Sequence, residues 1–460
     1  MTLRFTNWLS RLSPGTWVVL VLALGSSVIV FVQGKFERTG MPFWVFNKVH
    51  FTTYQPFVDR WNSEHPGTRV DMFLIQLDAF ERRLLSGFTA GTPIGEILET
   101  ERRVATRTFL GPEETVGFVD LADRLRDEGL LETINRPSFA PWTSRGRIYG
   151  IPHDVHPMVL CYRADLIEAA GIDLAVVETW DEFARALRPL MKDFDGDGRP
   201  DRFPLAGWPS NHLFVESLLR QGGGRYFDED GRPEIDSDLN ARLLATITTW
   251  TAGPDRICTD VPEQVASGNQ MRRDGTVLCQ LMPDWMVGQW KRDLPELAGK
   301  VKLMPLPAFT PGGRRTSVWG GTMLGIARNA PDFESAWAFA KALYLSPELA
   351  EVTFRGTGII TPVKSHWVLP VFSEPDPFFC GQPAGRLFIE QAPDVPVRSS
   401  SPFERLALER VKVAAIALRA YANREGKFTT EALIPEAKRL LGIARGEVQS
   451  HIDRNLFLDS

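Results

Sequence analysis

The chain has 460 residues, more than one ordinary core accommodates, so two or more domains are expected. Lys and Arg total 52 against 57 Asp and Glu, a formal net charge of −5, which excludes the concentrated basic face that nucleic-acid binding needs. Hydrophobic residues at 43% and charged residues at 24% are those of a soluble globular chain, and 13 Trp with 29 Phe are enough rings both to fill cores and to stack on a ligand.

In chain order, the first signal is an apolar run. No residue from Leu12 to Gly34 is charged; Arg4 and Arg11 precede the run, and Lys35, Glu37 and Arg38 follow it. The run is long enough to cross a bilayer as a helix and also has the form of a signal peptide, with Ala23-Leu24-Gly25 as a small-x-small cleavage site. Cutting there would leave Val28–Val32 exposed on the mature protein, so residues 1–40 are read as an uncleaved membrane anchor, with the body held outside the cytoplasmic membrane. The alternative is a removed signal and a secreted protein. Without a Cys at the end of the run, a lipid anchor is unsupported; without a second such run, the chain is not itself a permease.

The next elements alternate. Phe43–Phe46 reads as a buried strand, and Phe51–Ser63 as an amphipathic helix with Phe57, Val58 and Trp61 on one side. His65-Pro66-Gly67 is a turn, Val70–Ile75 a strand, and Asp78–Phe88 a helix ending near Gly91. This order is that of a parallel α/β unit. Val159–Arg163 is a further strand. Thr179 with Glu182 three residues on is a capping box, opening a helix whose apolar stripe is Phe183, Ala186 and Leu187. Leu213–Trp250 is helical with a break at Gly222-Gly223-Gly224. Val277–Met282, Val301–Met304 and Thr322–Ile326 are strands, Phe333–Leu345 is a helix, and Phe403–Arg445 is mostly helical. Cys161, Cys258, Cys279 and Cys380 show no C-x-x-C spacing; disulfides and buried free thiols both remain open.

Several stretches together resemble the extracellular solute-binding proteins of ABC importers, the family with maltose- and oligosaccharide-binding members. They are Phe57–Val70, Tyr149–Pro152 with Leu160–Leu166, and Ala170-Gly171-Ile172-Asp173 followed by Thr179–Phe183. Trp319-Gly320-Gly321, Ala336–Phe339 and Gly358–Pro362 complete the set, and their joint order carries the likeness from Phe43 onward. One departure is visible: the family's Gly-x-x-Pro-Asp-Val is here Gly91-Thr92-Pro93-Ile94-Gly95-Glu96, so that turn is expected to be built differently.

The resemblance implies an α/β, two-lobed periplasmic-binding-protein fold with a hinge between lobes, preceded here by one N-terminal hydrophobic helix. Residues 42–152 with 308–356 would form the first lobe, and 157–303 with 362–460 the second. The chain would cross between lobes near Pro152–Pro157, Met304–Phe309 and Thr357–Val363. It also implies the function: capture of a small molecule, a sugar or oligosaccharide, and its delivery to permease subunits driven by a cytoplasmic ATPase, with no bond in the cargo changed. A membrane-tethered sensor on the same fold and a carbohydrate-active hydrolase are the alternatives.

A sugar offers hydroxyls at its edge and C–H groups on its faces, so its site needs fixed polar groups and aromatic plates. The resemblance places such groups at Asn47 and Lys48 after the first strand, and at Glu99 and Glu101 after Ile97-Leu98. Asp154 and His156 lie in the first crossing; Trp208 lies in Ala206-Gly207-Trp208-Pro209. Trp285 stands where relatives carry a stacking Trp, and Trp319, Gly320 and Gly321 open a strand where small residues let backbone N–H groups approach a ligand. Each Trp has core packing as its alternative, and one of the two Glu could simply be solvated.

Asp193, Asp195, Asp197 and Asp201 stand at positions one, three, five and nine of a loop with Gly198 at six. That pattern suits a structural calcium, although Pro204 replaces the bidentate Glu at position twelve; a bare acidic turn is the alternative. No other cofactor is expected. The sequence lacks G-x-S-x-G, H-E-x-x-H and P-loop motifs, so a non-enzymatic role is expected.

Overall fold

The computed structural model describes residues 13–33 and 40–455, the side chains of residues 27–33 and of His212 excepted. The apolar N-terminal run forms helix α1 (Pro14–Gln33), with the side chains of Pro14–Ser26 exposed. Among the described residues no helix is long and apolar enough to cross a membrane. The expected membrane anchor is therefore not supported by the described residues. Residues 1–12 and 34–39 of the expected 1–40 segment lie outside the described residues.

Strand β1 (Met41–Val45) is apolar and almost wholly buried. Asn47 then starts helix α2 (Lys48–Glu64) by accepting the Val49 N–H at 2.8 Å. His50, Tyr54, Val58 and Trp61 recur at helical spacing and form the buried face of α2. Strand β2 (Val70–Leu74) pairs in parallel with β1, Met41 opposite Val70. Helix α3 (Leu77–Ala90) stops at Gly91, whose φ of 64° suits a residue without a Cβ. Strand β3 (Ile97–Glu101) pairs with the other edge of β1. The departure from the family pattern has a packing reason: a Cβ at Gly95 would lie 2.8 Å from the Trp44 ring, so this turn presses its backbone against β1. The Glu96 N–H donates to Pro42 O at 2.8 Å.

The chain continues through β4 (Ile151–Pro152), β5 (Met158–Arg163), α4 (Trp180–Leu187), β6 (Phe203–Ala206), α5 (His212–Gln221) and α6 (Asp238–Thr251). The reciprocal capping box of Thr179 and Glu182 is present at α4. Then follow β7 (Cys258–Thr259), β8 (Val277–Pro283), α7 (Asp284–Asp293), β9 (Val301–Pro305), β10 (Thr322–Ile326), α8 (Phe333–Tyr344), α9 (Pro347–Thr357), α10 (Glu404–Glu425) and α11 (Thr430–Ile452).

These strands form two five-stranded sheets, ordered β2-β1-β3-β10-β4 and β9-β5-β8-β6-β7. In the first, β10 runs antiparallel to β3, with Thr322 opposite Glu101. In the second, β5 is buried along its whole length between antiparallel β8 and β9. The first sheet has its own core, in which Phe43, Tyr54, Ile97, Leu324, Trp337 and Phe339 meet. A larger core under the second sheet joins Leu160, Trp180, Phe183, Leu218 and Leu281 to Leu418 and Leu441 of the tail helices. Two sheets, each with a separate core, define a two-lobed α/β molecule. Cys161, Cys258 and Cys279 are buried thiols and Cys380 is exposed; none is in a disulfide.

Three segments pass between the lobes. The first, residues 153–157, joins β4 to β5. The second crosses later than the expected Met304–Phe309. After β9 the chain stays on the second lobe: Ala308 pairs with Thr179, Ser317 Oγ donates to Ser217 O at 2.5 Å, and Val318 bridges Pro157. Leu306 and Trp319 belong to the second core, so the crossing falls at Gly320–Gly321. Residues 308–319, expected in the first lobe, thus pack on the second, because their polar groups bond to α4, α5 and β5 and not to the first sheet. In the third segment Ile360 packs in the second lobe while Val363 bridges Ile134 of the first.

Candidate ligand-binding cleft

Between the lobes lies a cleft of about 920 Å³. The first lobe lines it with Phe46, Asn47, His50, Glu101, Arg102 and Arg103; the second with Asn211, Asp260, Glu263, Trp285, Gln289 and Arg292. The crossings contribute Asp154, His156, Gly320, Gly321 and Ile359, and Trp319 lines it from the second lobe beside the second crossing. A space of this size with apolar rings and converging polar groups suits a small organic ligand.

Of the residues singled out in the sequence, eight meet at this cleft: Asn47, Glu101, Asp154, His156, Trp285, Trp319, Gly320 and Gly321. Two of them also hold local structure. Asn47 caps α2, and Glu101 accepts the Arg103 N–H at 2.8 Å. The two tryptophans form an edge-to-face pair with ring centroids 6.3 Å apart, and the Trp285 indole N–H donates to Trp319 O at 3.0 Å. Gly320 and Gly321 have φ of 106° and 138°, which only glycine adopts readily. A Cβ at Gly320 would lie 3.0 Å from Trp285 Nε1, and one at Gly321 would lie 2.9 Å from Arg398 Nη2. Glycine is therefore required for backbone shape and for space.

Three residues are placed elsewhere. Lys48 is exposed on the first turn of α2 and does not line the cleft. Glu99 is fully buried in the first lobe: its Oε1 lies 2.9 Å from His50 Nδ1, and its Oε2 accepts from the Tyr344 hydroxyl at 3.0 Å. Burial alone would raise its pKa, but the adjacent His50 holds the carboxyl below its usual value. Trp208 does not line the main cleft but a small pocket adjoining it beside Asn211 and Val261, with the Arg419 guanidinium 3.9 Å from its ring centroid in a cation–π contact.

The crossings carry a chain of buried polar groups. The Tyr54 hydroxyl and His153 Nε2 are 2.8 Å apart, and His153 Nδ1 donates to Asp154 Oδ2 at 3.0 Å. His156 Nε2 pairs closely with Asp154, while its Nδ1 lies 3.4 Å from Asp284 Oδ1. Burial opposes the imidazolium, yet Asp154 and Asp284 outweigh it and push His156 up to about 9. Asp154 is driven below the usual carboxylate range: burial works against this, but His156 and His153 prevail.

A second buried network joins the lobes. Arg102, which follows β3, lies 3.3 Å from Glu216 Oε1 of α5 and 3.6 Å from Glu404 Oε1 of α10. Arg220 pairs with both carboxylates, and Arg398 donates to Gly320 O. Burial and neighbouring Arg102 push Arg398 down to about 9.

Asp193, Asp195 and Asp197 bring oxygen atoms within 4.8 Å of one another on an exposed loop. Asp201 closes the loop by accepting the Phe194 N–H at 2.8 Å.

Sequence reasoning passed over His50, Arg102, Arg103, Asn211, Asp260, Glu263 and Gln289. Asn211 carried a usable signal, an N-cap residue opening an apolar helix; its side chain accepts from Leu213 and Phe214 N–H groups. Pro262 between Asp260 and Glu263 marked a polar loop without showing where it faces.

Residues 48–348 match the family of bacterial extracellular solute-binding proteins, and the chain belongs to it. It is similar to the arabinooligosaccharide-binding protein of Halalkalibacterium halodurans, 24% identical over 351 residues that cover 74% of this chain and 75% of that one. The arabinooligosaccharide-binding protein of Bacillus subtilis is 23% identical over 333 residues, 70% of this chain and 74% of that one. Among solved structures, the sugar-binding protein MalE from Xanthomonas citri superposes with a TM-score of 0.71 at 18% identity, covering 90% of this chain and all of that one, 100%. That likeness places the fold: a two-lobed binding protein with its cleft between the lobes.

Proposed function

We propose that this protein is the extracytoplasmic substrate-binding subunit of an ABC importer, and that it takes an oligosaccharide into the cleft between its lobes. The observation that carries the reading is the meeting of Trp285 and Trp319 with Asn47, Glu101, Asn211, Asp260 and Gln289 around one cleft. Rings serve the apolar faces of a sugar, and carboxylate and amide groups serve its hydroxyls. Relatives named for arabinooligosaccharide binding support the same cargo class. The closed protein then presents the cargo to permease subunits coupled to a cytoplasmic ATPase, and no bond in the sugar is changed. On this reading the protein works outside the cytoplasmic membrane. The loop from Asp193 to Asp201 serves as a structural calcium site away from the cleft, supported by its three converging carboxylates.

The test is isothermal titration of the protein with arabinotriose, maltotriose, mannitol and free amino acids. Binding of one oligosaccharide, weakened on the order of tenfold (about 1.4 kcal/mol) or more by Trp285→Ala, is the expected result. Binding of amino acids alone would keep the fold and remove the sugar.

A further inference from the structure

All three crossings meet at one buried ionic group. His156 belongs to the first crossing. It faces Gly320 of the second, where a Cβ would lie 3.3 Å from the His156 Cε1. Its partner Asp284 reaches the third: Asp284 Oδ2 accepts the Ile360 N–H at 2.9 Å. The first crossing is also tied to the third directly, Val155 N–H to Ile360 O at 3.2 Å, and to the start of β10 just after the second, His153 N–H to Thr322 O at 2.9 Å. Asp284 Oδ1 accepts the Trp285 N–H at 2.8 Å, so the same carboxylate orients the residue read as an aromatic plate.

His156 stands in a strained conformation as well. Its φ is 58°, a region that non-glycine residues seldom occupy. Asp154, His156 and Asp284 are each less than a tenth exposed. A strained residue persists where its surroundings over-determine it, and here two carboxylates on different elements do so.

We propose that Asp154, His156 and Asp284 form a proton-dependent clamp on the hinge: with His156 charged, the three crossings and Trp285 are held in one arrangement, and loss of that proton releases them. His156 is thus a positioning residue of the cleft. The inference concerns the hinge and does not depend on which ligand the cleft takes.

The charges around His156 define the sign. Asp154 faces it from its own crossing and Asp284 from the start of α7. Beyond Asp154 stand His153 and Arg398; beyond His153 lie Tyr54, His50 and Glu99; beyond Arg398 lies Arg102 with Glu216 and Glu404. The folded-state pKa of about 9 exceeds the ordinary 6.5. The clamp's contribution is therefore complete below about 6.5 and fades as pH rises through about 9. Asp154 stays ionised over that window because its pKa is lowered.

The experiment uses the full chain without ligand. Histidine ring NMR follows each titration, and hydrogen–deuterium exchange, corrected for intrinsic rates, follows peptides spanning residues 153–157 and 357–361 between pH 6 and 10. One histidine should titrate well above the ordinary 6.5 and its signal should vanish in His156→Gln. Protection of both peptides should fall about tenfold or more as it titrates, the factor set by one pKa unit. In His156→Gln that pH dependence should be absent, and Asp284→Asn should lower the titration. A wild-type protein with no such histidine, or with hinge protection flat through its titration, overturns the clamp even if neither variant folds. A His156→Gln protein as pH-sensitive as the wild type does the same.

Discussion

At Glu99 one carboxylate serves two donors inside the first lobe, His50 Nδ1 at 2.9 Å and Tyr344 hydroxyl at 3.0 Å. A carboxamide keeps the shape but replaces one accepting oxygen with an N–H donor, so one of the two buried donors loses its acceptor. Glu99→Gln is expected to cost about 1–3 kcal/mol, read as a lower urea midpoint with unchanged slope, with any change in ligand affinity arriving only through His50, which lines the cleft. Glu101, two residues on, lines the cleft and should show the reverse balance. The alternation of the two acids along β3 was visible in the sequence. What differs is depth: Glu99 pairs opposite Leu324 within the sheet, whereas Glu101 stands at the strand end opposite Thr322.

Elements were legible where a local pattern dictates them. The α2 face, the capping box of α4 and the strands β5, β8 and β10 follow from periodicity, a Thr-x-x-Glu spacing and runs of apolar residues. Strand β6 and helix α9 went unread, since Phe203–Ala206 is short and contains Pro204, and α9 opens on Pro347 and buries Thr353 and Thr357 beside Leu349 and Ala350. The loop at 193–201 is a local element too. Asp193 already accepts the Gly196 and Gly198 N–H groups at 2.6 and 2.8 Å, so the turn is shaped before any ion arrives. Calcium should raise the melting temperature of the wild type against chelator, and Asp195→Asn with Asp197→Asn should abolish that rise. Equal melting with calcium and chelator would leave a bare acidic turn.

The whole molecule is held by contacts between lobes that no single element contains. Arg102 from the first lobe meets Glu216 and Glu404 from helices 114 residues or more further along the chain. Burial alone would raise the pKa of Glu216, but Arg102 and Arg220 hold it down. Taking one partner out of such a network strands buried charge, so Arg102→Met should cost about 3 kcal/mol or more. The loss is measurable as a lower urea midpoint, and scattering of the same variant should show a larger radius of gyration if the lobes part.

The amino-acid sequence by itself determined the alternation of strands and helices, whereas the two-lobed class and part of the cleft were implied by its resemblance to a family. Helix faces, caps and glycine positions such as Gly320 and Gly321 are local demands of backbone geometry and burial, and local demands are written in spacing. Only the tertiary structure decided that Asn211, Asp260 and Glu263 face the same space as Glu101, and that Glu99, Lys48 and Trp208 do not. It also decided that the second crossing waits until Gly320, because residues 308–319 find their hydrogen-bond partners on the second lobe. Convergence across three crossings depends on how two cores pack against each other, and no spacing along one chain records that.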